Sequence, residues 1–221
     1  MKKQLLLSTF IFLSAFAMAQ TNPTIGIRAG LSDANIHGGA MTNLNSLLNL
    51  TNGMVTTSNR TGFFAGPYVS IPLSEKISLE PALYYTQKGA AIKGGLALKA
   101  INFLGVNAGA KLNAHYIDLP VLLKANLNGF QVFAGPQVSY LAQANLKTTA
   151  GLLGINLLHN NSNITNQFNR WDAGVTGGVG YQFANGVNFT ASYDYGLSRI
   201  DANKSTNAYN RSFKIGIGFH F

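Results

Sequence analysis

The sequence predicts an all-β chain folded as an eight-stranded antiparallel transmembrane β-barrel, an up-and-down meander with short periplasmic turns and long extracellular loops. Three observations point there. Apolar and polar residues alternate with a period of two through most of the chain, the pattern of strands with one apolar face. Charged residues make up only 10% of the 221, less than half the roughly 25% of a soluble domain, so the 47% that is apolar lacks the charge of a water-surrounded surface. Short and long connections alternate strictly, as they do between the two rims of a bacterial outer-membrane barrel. Outside the N-terminus no run of about 18 apolar residues occurs, which excludes helical spans.

Residues 1–19 read as a signal peptide and 20–221 as the barrel domain. Lys2 and Lys3 precede the apolar run Leu5–Phe16, and Ala17-Met18-Ala19 supplies the small-residue cleavage site. Gln20 follows the cut, so a lipid-anchored N-terminal cysteine is excluded. A chain with no Cys also has no disulfide framework, thiolate nucleophile or zinc–thiolate site.

Eight segments then alternate in turn. Ile25–Ser32, Phe63–Ile71, Ile77–Lys88, Tyr116–Lys124 and Phe130–Tyr140 show the pattern with interruptions, whereas Trp171–Phe183, Val187–Leu197 and Arg211–Phe221 show it cleanly. In the last, Phe213, Ile215, Ile217, Phe219 and Phe221 alternate with Ser212, Lys214, Gly216, Gly218 and His220. Pro72–Lys76, Asn126–Gly129 and Ala184–Gly186 are the short connections; Ala34–Thr61, Gly89–His115, Ala144–Asn169 and Arg199–Tyr209 are the long ones. Ten residues at about 3.3 Å each, tilted about 40°, rise roughly 25 Å, the height of the apolar band on such barrels. Tyr84, Tyr85, Tyr140, Trp171, Tyr181, Phe183, Tyr193, Tyr195, Phe219 and Phe221 fall near strand ends, where interfacial girdles need amphipathic rings. Pro67, Pro81, Pro120 and Pro136 lie inside proposed strands and are expected to mark bulges or local breaks in the ladder.

With the apolar face outward, the lumen receives Arg28, Glu80, Lys88, Asp118, Lys124, Asp172, Asp194 and Lys214 among Gly, Ser, Thr and Asn. Four cations and four carboxylates in a narrow interior are expected to pair. Eight strands leave an interior that side chains fill, so a mutually neutralised plug is favoured over an ion pathway and a diffusion pore is not expected.

Catalytic patterns do not appear: there is no G-x-S-x-G, no H-E-x-x-H and no phosphate loop, and no metal or cofactor is expected. Of His37, His115, His159 and His220, only His115 has a carboxylate nearby, Asp118, and their spacing places the two on opposite faces of a strand. Leu44–Leu50, Leu96–Val106 and Ala150–Leu158 are apolar for outer loops; they would extend strands, form short helices, pack on one another or dock on a partner. Arg60, Lys93, Lys99, Lys111, Lys147, Arg199 and Lys204 would lie outside, with lipopolysaccharide phosphates as counter-charge. The net charge of +9, reduced by two when Lys2 and Lys3 leave with the signal peptide, is scattered over the exported chain, which argues against nucleic acid.

Several stretches, taken together, resemble the PorT-like family of small, porin-like barrels described as outer membrane protein beta-barrel domain proteins. They are Ile77–Gly89 with Glu80-Pro81 and Tyr84-Tyr85, Tyr116-Ile-Asp-Leu-Pro-Val-Leu-Leu-Lys124, Phe133-Ala-Gly-Pro136, Gly174–Tyr181, Tyr195-Gly-Leu-Ser198 and the terminal Phe221. The resemblance covers nearly all of the exported chain. It implies a Gram-negative outer-membrane location and a non-enzymatic structural or interaction role, with protein secretion or envelope assembly as the setting, and it supplies no catalytic residues. Phe219 and Phe221 resemble the last-strand signal read by the barrel-assembly machinery. A small-ligand-binding or lipid-acting barrel, using His115 or His159, and a narrow ion channel through the charged lumen are the alternatives.

Overall fold

The computed structural model describes residues 22–38, 55–96, 106–152, 155–201 and 207–221. The proposed signal peptide and Leu44–Leu50 lie outside the described residues, as do residues 97–105 of the apolar stretch after Leu96. Ten strands follow in chain order: β1 (Thr24–His37), β2 (Val55–Pro72), β3 (Ile77–Pro81), β4 (Tyr84–Leu96), β5 (Val106–Leu127), β6 (Phe130–Leu152), β7 (Ile155–Asn163), β8 (Trp171–Gln182), β9 (Val187–Gly196) and β10 (Tyr209–His220). All neighbours are antiparallel, and β1 pairs with β10 from Gly26↔His220 to His37↔Tyr209, which closes the sheet.

The wall has eight strands because β3 and β4 are one strand interrupted at Ala82–Leu83. Both pair with β5 in a single register, Ile77↔Ala125 below the break and Tyr84↔Asp118 above it. Prolines cause the interruption. Pro81 has no N–H to give β2, and Pro67 and Pro120 have none to give the strand between them. The ladder survives through their carbonyls: Ala82 N donates to Pro120 O and Leu83 N to Pro67 O, each at 3.0 Å. The register does not shift at any of the four prolines, so they are local breaks rather than bulges; the shifts occur between Asn59 and Phe64, His115 and Tyr116, and Ala150 and Gly151.

The short-turn rim follows from its sequence. Asn128 and Gly129 take φ of 54° and 94°, the left-handed pair that an Asn-Gly two-residue hairpin supplies at little cost. β1 begins and β10 ends at this rim, where Phe221 N donates to Ile25 O at 2.8 Å. The opposite rim departs from the expected long loops. Ala34–Thr61, Gly89–His115 and Ala144–Asn169 contain strand: β2, β4, β5 and β6 continue beyond the barrel, and β7 folds back on the upper part of β6. These outer segments are paired with each other, from Val55↔Gly94 through Leu96↔Val106 and Val106↔Leu152 to Leu152↔Ile155.

Alternation sorts the side chains. Ile25, Ile27, Leu31, Leu119, Leu123, Val132, Val175, Phe189, Ile215 and Ile217 are exposed on the outer face, a belt that only lipid would favour. At the outer edge Tyr140 meets Trp171 at 5.0 Å between centroids, and at the periplasmic edge Tyr181 meets Phe183 at 4.8 Å and Phe219 meets Phe221 at 5.3 Å. Tyr84 does not belong to these girdles. It shares the phase of Glu80 and Lys88 and is buried in the lumen.

Candidate functional site

All eight charged residues assigned to the lumen are buried there, and each is set by the inward phase of its strand: Arg28 on β1, Glu80 on β3, Lys88 on β4, Asp118 and Lys124 on β5, Asp172 on β8, Asp194 on β9 and Lys214 on β10. They separate into two clusters and one lone carboxylate.

The periplasmic cluster is a fork on Glu80. Arg28 Nη1 lies 2.7 Å from Glu80 Oε1, and Lys124 Nζ is paired with Glu80 Oε2. Arg28 also donates to Tyr84 OH at 2.8 Å and to Asn188 Oδ1 through Nε at 3.3 Å and Nη2 at 3.2 Å, and Asn188 Nδ2 donates to Tyr68 OH at 2.9 Å. The guanidinium carbon stands 4.3 Å from the Tyr68 ring centroid. Two cations share one carboxylate, so this cluster keeps one positive charge in excess.

The outer cluster is a closed ring. Lys88 Nζ and Lys214 Nζ each lie 2.9 Å from Asp118, on Oδ1 and Oδ2, and Lys214 Nζ is 2.7 Å from Asp194 Oδ2. The Thr176 hydroxyl stands 2.9 Å from Asp194 Oδ1 and 2.8 Å from Gln137 Oε1. Gln137 Nε2 donates to Ser139 Oγ at 3.2 Å, and Lys88 Nζ to the same oxygen at 3.4 Å. Six strands, β4, β5, β6, β8, β9 and β10, contribute to this belt, and its two cations match its two carboxylates. Asp172 stands apart. Asn210 Nδ2 donates to its Oδ2 at 2.7 Å and also to Tyr116 OH at 3.2 Å, while its Oδ1 is buried with no hydrogen-bond partner.

Aromatic and apolar side chains narrow the lumen between these clusters and cap it at the outer mouth, which alternation alone did not indicate. Phe64, Tyr84, Pro120, Leu122 and Phe133, together with Arg28 of the fork, Asp194 and Lys214 of the ring and the hydroxyls of Thr176, Thr190 and Ser192, line a cavity of about 20 Å³ between the two clusters, scarcely more than one water needs. Lys124 Nζ is 5.8 Å from the Phe133 centroid on one side, and Lys214 Nζ is 5.4 Å from the Phe64 centroid on the other. At the outer mouth Ala114, Tyr116, Leu141 and Ala144 pack with Leu112, Ile164 and Phe168 into a second apolar layer. The periplasmic end widens into a vestibule of about 260 Å³ bordered by Tyr68, Ser78, Glu80, Lys124 and Gln131. The lumen thus reads, from the periplasm outward, as vestibule, ionic fork, aromatic layer, ionic ring and apolar cap. Glycines make room for it: a Cβ on Gly216 would stand 2.7 Å from the Phe64 ring, and one on Gly178 would stand 2.7 Å from the Phe133 ring.

The histidines form no such centre. His115 Nδ1 and Tyr85 OH are 2.5 Å apart with stacked rings, on the opposite face of β5 from Asp118. His220 Nδ1 is 3.1 Å from Gln182 Nε2 at the periplasmic rim, His37 is exposed, and the side chain of His159 lies outside the described residues. Among the described residues no group of three His, Asp or Glu is placed to hold a metal ion. Of the outer cations, Arg60 is buried rather than solvated: Nε donates to Asn113 Oδ1 at 2.6 Å. Burial pushes its guanidinium below the ordinary arginine value.

Tyr68, Tyr84, Asn188 and the aromatic layer escaped sequence reasoning. The signal was parity. Phe64 and Tyr68 lie an even number of residues apart, as do Glu80, Tyr84 and Lys88, so each set shares a face whatever its polarity.

Residues 18–202 match the model of a protein family described as the outer membrane protein beta-barrel domain. Comparison with curated proteins finds no match. Among solved structures, the chain is similar to Neisserial surface protein A, at 12% identity and a TM-score of 0.45 over 90% of this chain and 99% of that one. It is similar to Ail, the attachment invasion locus protein of Yersinia pestis, at 10% identity and a TM-score of 0.47 over 90% and 99%. It is also similar to OprG from Pseudomonas aeruginosa, at 14% identity and a TM-score of 0.43 over 91% and 97%.

Proposed function

The chain belongs to the outer membrane protein beta-barrel domain family and is an outer-membrane β-barrel protein, and from that premise we propose a sealed, non-enzymatic barrel that works through its outer strands as a structural or docking partner in the envelope. The observation that carries this reading is the layered lumen. Ion pairs and aromatic rings occupy the space a solute would need, and among the described residues no metal set stands beside them. The paired outer segments of β2, β4, β5, β6 and β7 offer backbone and side chains beyond the apolar belt, where a neighbouring protein would meet them. Within the family the PorT-like sequence pattern favours an accessory of protein secretion or envelope assembly. Export by the N-terminal signal, recognition of Phe219 and Phe221 by the barrel-assembly machinery, and contact with lipopolysaccharide complete the reading.

Crosslinking in intact cells followed by mass spectrometry tests it. A recurrent envelope or secretion protein attached through residues 109–114 or 143–149 is the expected result. Products confined to the assembly machinery, together with discrete conductance steps from the purified chain in planar bilayers, would overturn it in favour of a channel.

A further inference from the structure

We infer that the outward face of the barrel from β6 through β8 and β9 to β10 carries a specific lipopolysaccharide site, an apolar groove over Gly177 for one acyl chain and Arg211 for a phosphate. It rests on the lipid contact included in the proposed function and gives that contact a place.

The groove has a volume of about 590 Å³ and is lined by Ala134, Pro136, Val175, Gly177, Tyr193 and Tyr195. Small residues on β6 and β8 leave a trough that the two tyrosines of β9 wall in. A Cβ on Gly177 would meet no atom nearer than 3.8 Å, whereas lumenal Gly216 and Gly178 would clash at 2.7 Å or less. The space at Gly177 is therefore not demanded by the barrel's own packing. It lies within the apolar belt, so its occupant comes from the membrane.

On the far side of β9, over β10, β1 and β2, lies a polar cleft of about 180 Å³, lined by Asp33, Asn35, His37, Asn59 and Arg211, and Tyr193 borders both spaces. Arg211 is the first outward residue of β10 beyond Phe213, where the apolar alternation ends. Its guanidinium carbon stands 3.3 Å from the Tyr195 ring centroid, and Nη1 donates to Gly196 O at 2.6 Å and to Asn210 O at 3.2 Å. None of the ion pairs among the described residues includes Arg211. Asp33, in the same cleft, is occupied by Asn59 Nδ2 at 2.6 Å and the Thr61 hydroxyl at 3.3 Å. A cation held flat on an aromatic ring at headgroup height, ion-paired with no carboxylate although Asp33 lines the same cleft, suits a phosphate oxygen. Arg211 pairs in register with Tyr195 of the groove wall, so the cationic cleft adjoins the apolar groove as a lipid headgroup adjoins its chain. The rim is the outer one, so the lipid is that of the outer leaflet, and the amide and imidazole groups beyond Arg211 suit a phosphorylated sugar.

Native mass spectrometry of the refolded full chain in detergent micelles tests the assignment, with rough lipopolysaccharide and phosphatidylglycerol offered separately at equal concentration. Arg211→Gln removes the charge, and Gly177→Leu fills the groove where space is open; heat-dependent electrophoretic mobility verifies that each variant is folded. Lipopolysaccharide adducts are expected on the unaltered chain, weaker by roughly tenfold in Arg211→Gln and several-fold in Gly177→Leu, with phosphatidylglycerol retained poorly throughout. Equal retention by all three chains, or phosphatidylglycerol held as well as lipopolysaccharide, would overturn the assignment. Either failure leaves the crosslinked protein partner untouched, and absence of that partner leaves the adduct pattern untouched.

Discussion

The two ionic clusters of the lumen hold the same kinds of groups in opposite arrangements. At the periplasmic end one carboxylate, Glu80, serves two cations. At the outer end Asp118 also serves two, but Lys214 has a second carboxylate in Asp194, and polar side chains close the circuit through Ser139. The fork has a single point of failure; the ring has alternatives. A buried charge is tolerated only while its partner stands, so the difference should appear when one acid is removed from each.

Glu80→Gln strands Arg28 and Lys124 together and is expected to cost most, about 3–5 kcal/mol, read as a lowered urea midpoint by Trp171 fluorescence of the refolded barrel. Asp118→Asn leaves Lys214 with Asp194 and Lys88 with Ser139, and about 2–3 kcal/mol is expected by the same measurement. Equal losses would erase the distinction between fork and ring. Asp172→Asn should matter least, under about 1 kcal/mol, because no cation among the described residues is paired with it and neutral donors such as Asn210 hold it. A loss as large as that of Glu80→Gln would mean that Asp172 is a working member of the ring.

The sequence carried the barrel well because a membrane enforces alternation. Every outward residue from Phe213 to Phe219 on β10 must be apolar, so the inward phase, and with it all eight lumenal charges, could be read directly. The same rule misled at Tyr84. An aromatic ring near a strand end fits a girdle, yet parity with Glu80 places it inside, where its hydroxyl accepts from Arg28. Which charge meets which was not legible, because partners such as Arg28 and Glu80 lie 52 residues apart and are joined only by register. The outer extension was legible only as one of several options for Leu96–Val106 and Ala150–Leu158. Gly89–His115 and Ala144–Asn169 lack the alternation that lipid demands, since beyond the belt hydrogen bonding alone sustains a strand.

Whether the lumen is sealed between its two clusters can be tested with single cysteines, since the chain has none of its own. Ser78 borders the periplasmic vestibule, Ser192 the small cavity behind the Phe64 and Phe133 rings, and Ala191 the lipid-facing side of the same strand. With a small charged methanethiosulfonate reagent, Ser78→Cys should react while Ser192→Cys and Ala191→Cys stay unmodified from either side of the membrane. Modification of Ser192→Cys at a rate comparable to Ser78→Cys would contradict the sealed lumen.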